Sequence, residues 1–381
     1  MSNCHVCGAD NVRELPQYAS LTRVTSDCKP WPAGGRLGMC VDCGTVQKFV
    51  DEKWRADIAG IYADYTIYFQ AGSGAEQVIF LDEPTKALTR SEWLVRRVVR
   101  DASLAPQGRL LDIGCGNGAF LRAFSRSMPG WTLTGTELSD GTRDIVESIP
   151  GVEGFYTGPL DAVPGTFDLI SLVHVLEHIS HPLQFLPAVT RKLKPGGVLF
   201  VEVPDAESNP FDLLIADHIS HFTPSAVARL LTTAGYSIGV LSNEWLLKEI
   251  SAIARYGGPP ILSSLPTEAQ NPAAALNWLV AASGAARAAR ARASGRFGLF
   301  GSSIAATWLA HEVGCAMEFF VDEDPSRQGQ QFMGRSVVSP GQVTPGSVVF
   351  IGVGGGVAGQ IADRLSRTVP SVTWIPAPPF A

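Results

Sequence analysis

Leu110-Leu111-Asp112-Ile113-Gly114-Cys115-Gly116-Asn117-Gly118 is the stretch that decides the fold. A short apolar run from Arg109 to Asp112 reads as a buried strand, and the alternate glycines after it read as a turn that opens the helix Ala119–Ser127. Glycine takes positive φ and lets a ligand come close to the backbone. In an open parallel sheet such a turn lies at the carboxyl end of its strand, where ligands bind. Working outward, Trp131–Glu137 reads as a second strand, and Phe167–Val175 and Val198–Val203 are apolar enough for buried parallel strands. Strands alternating with helices predict an α/β fold around a Rossmann-like parallel sheet. Thr223-Pro224 is a helix start, a capping hydroxyl followed by proline at the first helical position. The helix Ser225–Ala234 stops at Gly235, and Tyr236–Leu241 with Leu246–Arg255 forms a closing pair of strands.

The turn alone fits a nicotinamide dinucleotide as well as S-adenosylmethionine. Three features favour the latter. Asp112 precedes the glycines, where it would repel a pyrophosphate but not a sulfonium amino acid. The turn Leu193-Lys194-Pro195-Gly196-Gly197 leads into a strand, and Phe167-Asp168-Leu169-Ile170 begins the fourth strand at a fitting distance. Glu137 ends the second strand, 25 residues after Asp112, where a carboxylate can accept both hydroxyls of a ribose.

Four of the seven cysteines form two Cys-x-x-Cys pairs, Cys4/Cys7 and Cys40/Cys43, each followed by glycine at Gly8 and Gly44. This is the knuckle spacing of a four-thiolate zinc site, closed and therefore structural. Four free thiols in a small core is the competing reading, but residues 1–45 supply little apolar material. An odd cysteine total and no apolar leader predict a reducing, cytoplasmic setting without a disulfide framework.

With 381 residues the chain is too long for one ordinary core. We expect a zinc-binding module and helical connection at 1–75, a cofactor-binding core at 76–256, a linker and helix at 257–292, and a small C-terminal α/β domain at 293–381. Residues 46–106 read as helical, with aromatics at Tyr62, Tyr65 and Tyr68. No run of 18 uncharged apolar residues predicts a membrane span. A net charge of -6 argues against a phosphate-backbone partner, and the arginines at 287, 290, 292 and 296 read as a solvated helix face.

Over about 109–242 these motifs resemble the class I S-adenosylmethionine-dependent methyltransferases. The resemblance implies that Asp112, Gly114, Gly116 and Gly118 cradle the methionine end, that Glu137 holds the ribose, and that Gly158–Asp161 lines the adenine, with Leu160 as an apolar contact. Val175-Leu176-Glu177-His178 falls where that family places neighbours of the methyl donor. The order of a four-cysteine module, this core and a C-terminal α/β domain is similar to the sugar C-methyltransferases that act on nucleotide-linked deoxysugars. Phe300-Gly301-Ser302-Ser303, Val321-Asp322-Glu323-Asp324-Pro325, Gln328-Gly329-Gln330 and Met333-Gly334 carry that likeness, although Ser303 and Ala306 replace two of the family's glycines. It implies that Tyr65 and Tyr68 sit on a segment closing over cofactor and substrate. It implies a catalytic stretch at Ile215–Phe222, in which His218, Ser220 and Phe222 match and Asp217 replaces a glutamate. Ile215 and His221 stand where the family has tyrosines, so another base must serve, with His218 or His221 as candidates and Asp217 as orienter.

The resulting expectation is methyl transfer from S-adenosylmethionine to a small molecule, most concretely carbon methylation of a nucleotide-linked sugar. Oxygen or nitrogen methylation is the close alternative. An RNA methyltransferase and a non-catalytic cofactor-binding partner are the others.

Overall fold

A computed structural model describes residues 3–65, 78–80, 87–258, 271–354 and 356–380. Its largest sheet has seven strands: β1 Gly108–Ile113, β2 Trp131–Glu137, β3 Val152–Thr157, β4 Phe167–Val173, β5 Leu193–Pro204, β6 Tyr236–Ser242 and β7 Glu249–Tyr256. Their spatial order is β3-β2-β1-β4-β5-β7-β6, parallel from β3 to β5 and antiparallel around β7. The apolar runs follow from burial on both faces. Successive side chains point to opposite sides of a strand, so Leu110 and Leu169 join one core while Leu111 and Ile170 join the other. Strand order reverses between β1 and β4, and the carboxyl ends there open a crevice for a ligand.

The helix Ala119–Ser127 starts on Gly118, left-handed at φ 77°. Thr223 Oγ1 caps Pro224–Thr233 by accepting from the Ala226 N–H at 3.2 Å. The strand expected at Leu246–Arg255 begins three residues later, at Glu249. Residues 46–106 are less helical than their composition reads. Helices Glu52–Ala63 and Arg90–Asp101 are separated by the short pair Val78–Phe80 and Ala87–Thr89, and a strand, Val46–Lys48, precedes the first helix.

The cysteine-bearing region borrows its core. Strands Val12–Glu14, Leu37–Cys40 and Val46–Lys48 form a sheet whose fourth member, Ser220–His221, comes from the stretch after β5. Tyr18, Leu21 and Val24 share a core with Phe211 and Leu214 and with Trp278 and Trp308 of the C-terminal part. That part is a second parallel sheet built on Phe297–Phe300, Phe319–Val321 and Val348–Ile351, flanked by helices Pro272–Arg292, Ile304–Val313 and Val357–Thr368. Among the described residues no helix is long and apolar enough to cross a membrane.

Candidate active site

The loop after β1 carries three left-handed glycines, Gly114 at φ 68°, Gly116 at 55° and Gly118 at 77°. Two of them are also sterically required. A Cβ on Gly114 would sit 2.6 Å from Val175 Cγ2, and one on Gly118 would sit 2.5 Å from Ile149 Cδ1. A Cβ on Gly116 would meet nothing within 4 Å, so this backbone faces open space that a ligand can use. Glu137 closes β2 beside it. Burial raises its pKa, while hydrogen bonds from the backbone N–H groups of Gly116 and Leu138 oppose the rise. Leu138 is 79% exposed, an uncovered apolar side chain next to that carboxylate which the sequence reading did not single out. Asp112 is turned toward β4, accepting from Ser171 Oγ at 2.6 Å, and burial pushes its pKa up to about 7. Leu160 is half-buried at the head of the turn Leu160–Ala162 and packs on the same core as Val175. Glu137 and the backbone of the glycine loop thus border the open face of Gly116.

Beyond β4 lies a second constellation. The rings of His178 and His218 meet edge to face with centroids 4.7 Å apart. His218 Nδ1 lies 2.7 Å from Asp212 Oδ1, and His221 Nδ1 lies 2.6 Å from Asp212 Oδ2. Asp212 is buried, yet the two imidazoles hold its pKa far below the usual carboxylate range. Burial opposes a charge on His218, but Asp212 raises its pKa. Burial and the neighbouring Lys48 instead push His221 down to about 4. The carboxylate on His218 is thus Asp212. Asp217, the orienter expected from the sequence, accepts from Ser26 N–H at 2.8 Å and from Ser26 Oγ, and lies 3.4 Å from His178 Nδ1.

His174 stands at the edge of this cluster in left-handed backbone, φ 54°, which a histidine rarely adopts. It lies 3.1 Å from Glu177 Oε1 and 3.0 Å from Glu249 Oε2. Burial disfavours its charge, but these carboxylates hold its pKa at about 10. Tyr62 Oη is 3.3 Å from His178 Nδ1, and Tyr65 Oη lies 3.3 Å from Ser26 Oγ. Tyr68 lies outside the described residues. The structure therefore gathers His178, His218, Asp217, Tyr62 and Tyr65, and sets His221 behind them, fully buried. Asp212, Ser26 and Lys48 went unnoticed in the sequence. The one available signal was a lone carboxylate in the apolar run Pro210-Phe211-Asp212-Leu213-Leu214.

Cys4, Cys7, Cys40 and Cys43 converge, their Sγ atoms all within 4.8 Å of one another. Cys4 Sγ is 3.5 Å from Cys43 Sγ, and Cys7 Sγ is 3.6 Å from Cys40 Sγ. A tetrahedral ion with bonds of about 2.3 Å to sulfur has sulfur–sulfur edges of about 3.8 Å. The Val6 and Cys7 N–H groups point at Cys4 Sγ from 3.4 and 3.5 Å, the environment a thiolate needs. This donor set fits a closed zinc site.

Residues 89–239 match the model of a methyltransferase domain family. Among known proteins, the chain is similar to the ubiquinone biosynthesis O-methyltransferase of Paracidovorax citrulli, 33% identical over 127 residues that span 29% of this chain and 51% of that protein. The protein of the same name from Xanthomonas campestris is 29% identical over 158 residues, spanning 38% of this chain and 63% of that one. The chain thus covers between half and two thirds of these relatives. A solved S-adenosylmethionine-dependent methyltransferase from Clostridium acetobutylicum aligns over 44% of this chain and 91% of that one, at 14% identity and a TM-score of 0.36.

Proposed function

We propose that this chain, which carries a class I methyltransferase domain at residues 89–239, transfers the methyl group of S-adenosylmethionine to a small molecule. The observation that carries the reading is the open face of Gly116 beside Glu137, inside the matched domain and at the strand-order reversal of the sheet. When bound there, S-adenosylmethionine supplies an electrophilic methyl group. Glu137 accepts from the ribose hydroxyls, and the loop Gly114–Gly118 lets the amino-acid end lie against backbone. In-line displacement then asks the protein to place the acceptor and exclude water.

His218 is the residue we assign to proton removal from the acceptor. With Nδ1 tied to Asp212, its Nε2 is the nitrogen able to take a proton, and Asp212 stabilises the imidazolium that forms. His178 and Asp217 line the same cluster. The acceptor is therefore one with an acidic proton to lose, and we favour the carbon next to the ketone of a nucleotide-linked sugar, on the order of the cysteine module, core and C-terminal α/β domain. Oxygen methylation is the second reading, favoured by the O-methyltransferase names of the relatives. The four thiolates hold a structural zinc.

The test is direct. S-Adenosylhomocysteine should bind and NAD should not, by titration calorimetry. A methyl-transfer screen over nucleotide-linked keto sugars and phenols should then give product with one of the two classes. Binding of NAD in preference would overturn the cofactor assignment, and a product methylated on oxygen would decide for the second reading.

A further inference from the structure

Lys48 ends the strand Val46–Lys48 of the cysteine module and is fully buried, a costly place for an ammonium. Its Nζ donates to the carbonyl oxygens of Ile215 and of His218, the latter at 2.6 Å, and lies 3.2 Å from His221 Nε2. With His221 Nε2 bare the group faces three acceptors, which the three N–H donors of an ammonium meet and the two of a neutral amine do not. Burial lowers the pKa of this group to about 7, and Asp212 and Asp217 resist the fall while Arg23 adds to it. The same residue is tied by its backbone, since Lys48 N–H donates to Ile219 O at 2.8 Å and Ser220–His221 pairs with Val46 and Gln47.

We propose that Lys48 is a positioning residue that fixes the proton arrangement of the His221–Asp212–His218 array. The assignment follows the hydrogen-bond network. Donation from Lys48 makes His221 Nε2 an acceptor, so the proton of the neutral His221 ring resides on Nδ1. Nδ1–H then donates to Asp212 Oδ2 at 2.6 Å. Asp212 Oδ1 remains for His218 Nδ1–H at 2.7 Å, and His218 Nε2 is left bare. Without the ammonium, His221 can move its proton to Nε2 and turn a lone pair toward Asp212, which loses one of its two donors. The strand Val46–Lys48 of the cysteine module would then act on His218 through one side chain. This rests on the reading that His218 receives the proton.

The experiment is nitrogen-15 NMR of the histidine rings on the full chain with bound S-adenosylhomocysteine, with signals assigned through His218→Gln and His221→Gln. Burial and Lys48 push His221 down to about 4, so at neutral pH its tautomer is readable. The wild type should show a pyrrole-type Nδ1 and a pyridine-type Nε2 at His221. In Lys48→Met that signature should be lost, the His218 ring shifts should move, and S-adenosylhomocysteine affinity should stay within about twofold, because Lys48 does not reach the glycine loop. A wild-type His221 carrying its proton on Nε2 would overturn the proposal, even if Lys48→Met does not fold. So would a Lys48→Met spectrum superimposable on the wild type. Failure of S-adenosylhomocysteine to bind the wild type would instead count against the methyl-transfer reading and leave the tautomer result standing.

Discussion

Glu137→Ala is the perturbation whose size follows most directly from the site. In the wild type the carboxylate already bears part of its desolvation, since burial raises its pKa, and it is held by the Gly116 and Leu138 N–H groups. The proposed reading gives its remaining lone pairs to the ribose hydroxyls. Hydrogen bonds to a charged group contribute about 1.5–3 kcal/mol, and every 1.4 kcal/mol is about tenfold in affinity. S-Adenosylhomocysteine should therefore bind Glu137→Ala about 10- to 150-fold more weakly, and Glu137→Gln, which keeps one acceptor oxygen, by a smaller factor. The alanine variant also releases the Gly116 N–H, so loss of affinity alone does not isolate the ribose. A cycle with the 2′-deoxy analogue of the ligand does. Titration calorimetry should show the deoxy analogue weakened on the wild type and nearly equal to its parent on Glu137→Ala. Additive losses would refute the idea that Glu137 holds the ribose, and normal binding to Glu137→Ala would refute the assignment of the crevice.

Further outcomes follow from the second constellation and the cysteines. His218→Ala should lower kcat by about 10²–10⁴, the usual worth of a general base, while S-adenosylhomocysteine still binds. Asp212 holds the pKa of His218 above the usual 6.5 against burial, so the neutral base appears only as pH rises through that raised value. The rising limb of kcat should lie above pH 6.5 and move to lower pH in Asp212→Asn. The stability that this pair contributes is complete below pH 6.5 and is lost as pH climbs through the raised value. Gly116→Ala should fold and lose affinity, since its Cβ enters the space left for ligand, whereas Gly118→Ala should lose fold stability first, with Ile149 Cδ1 at 2.5 Å. Elemental analysis of protein purified without added metal should find one zinc per chain, and Cys40→Ser should release it.

Local chemistry made much of this protein readable in its sequence. Helix Ala119–Ser127 and strand Trp131–Glu137 have the bounds their residues suggest. The glycine spacing, the capping Thr223 and the apolar runs each act over a few residues, and a buried strand must be apolar wherever it sits. The cysteine spacing likewise announced the four sulfurs that converge. What the sequence left dark is long-range and polar. Asp212 looks like one acid in an apolar run and becomes the acceptor between two imidazoles only when Pro210–Leu214 folds back under Ser220–His221. Lys48 passes unremarked in a stretch that reads as helical, until 167 residues later Ile215 offers its carbonyl in the interior. Residues 1–45 seemed to lack a core because their core is supplied by Phe211, Trp278 and Trp308. Burial of charge cannot be seen along a chain, since it depends on which distant groups arrive to satisfy it. That decision belongs to the tertiary structure.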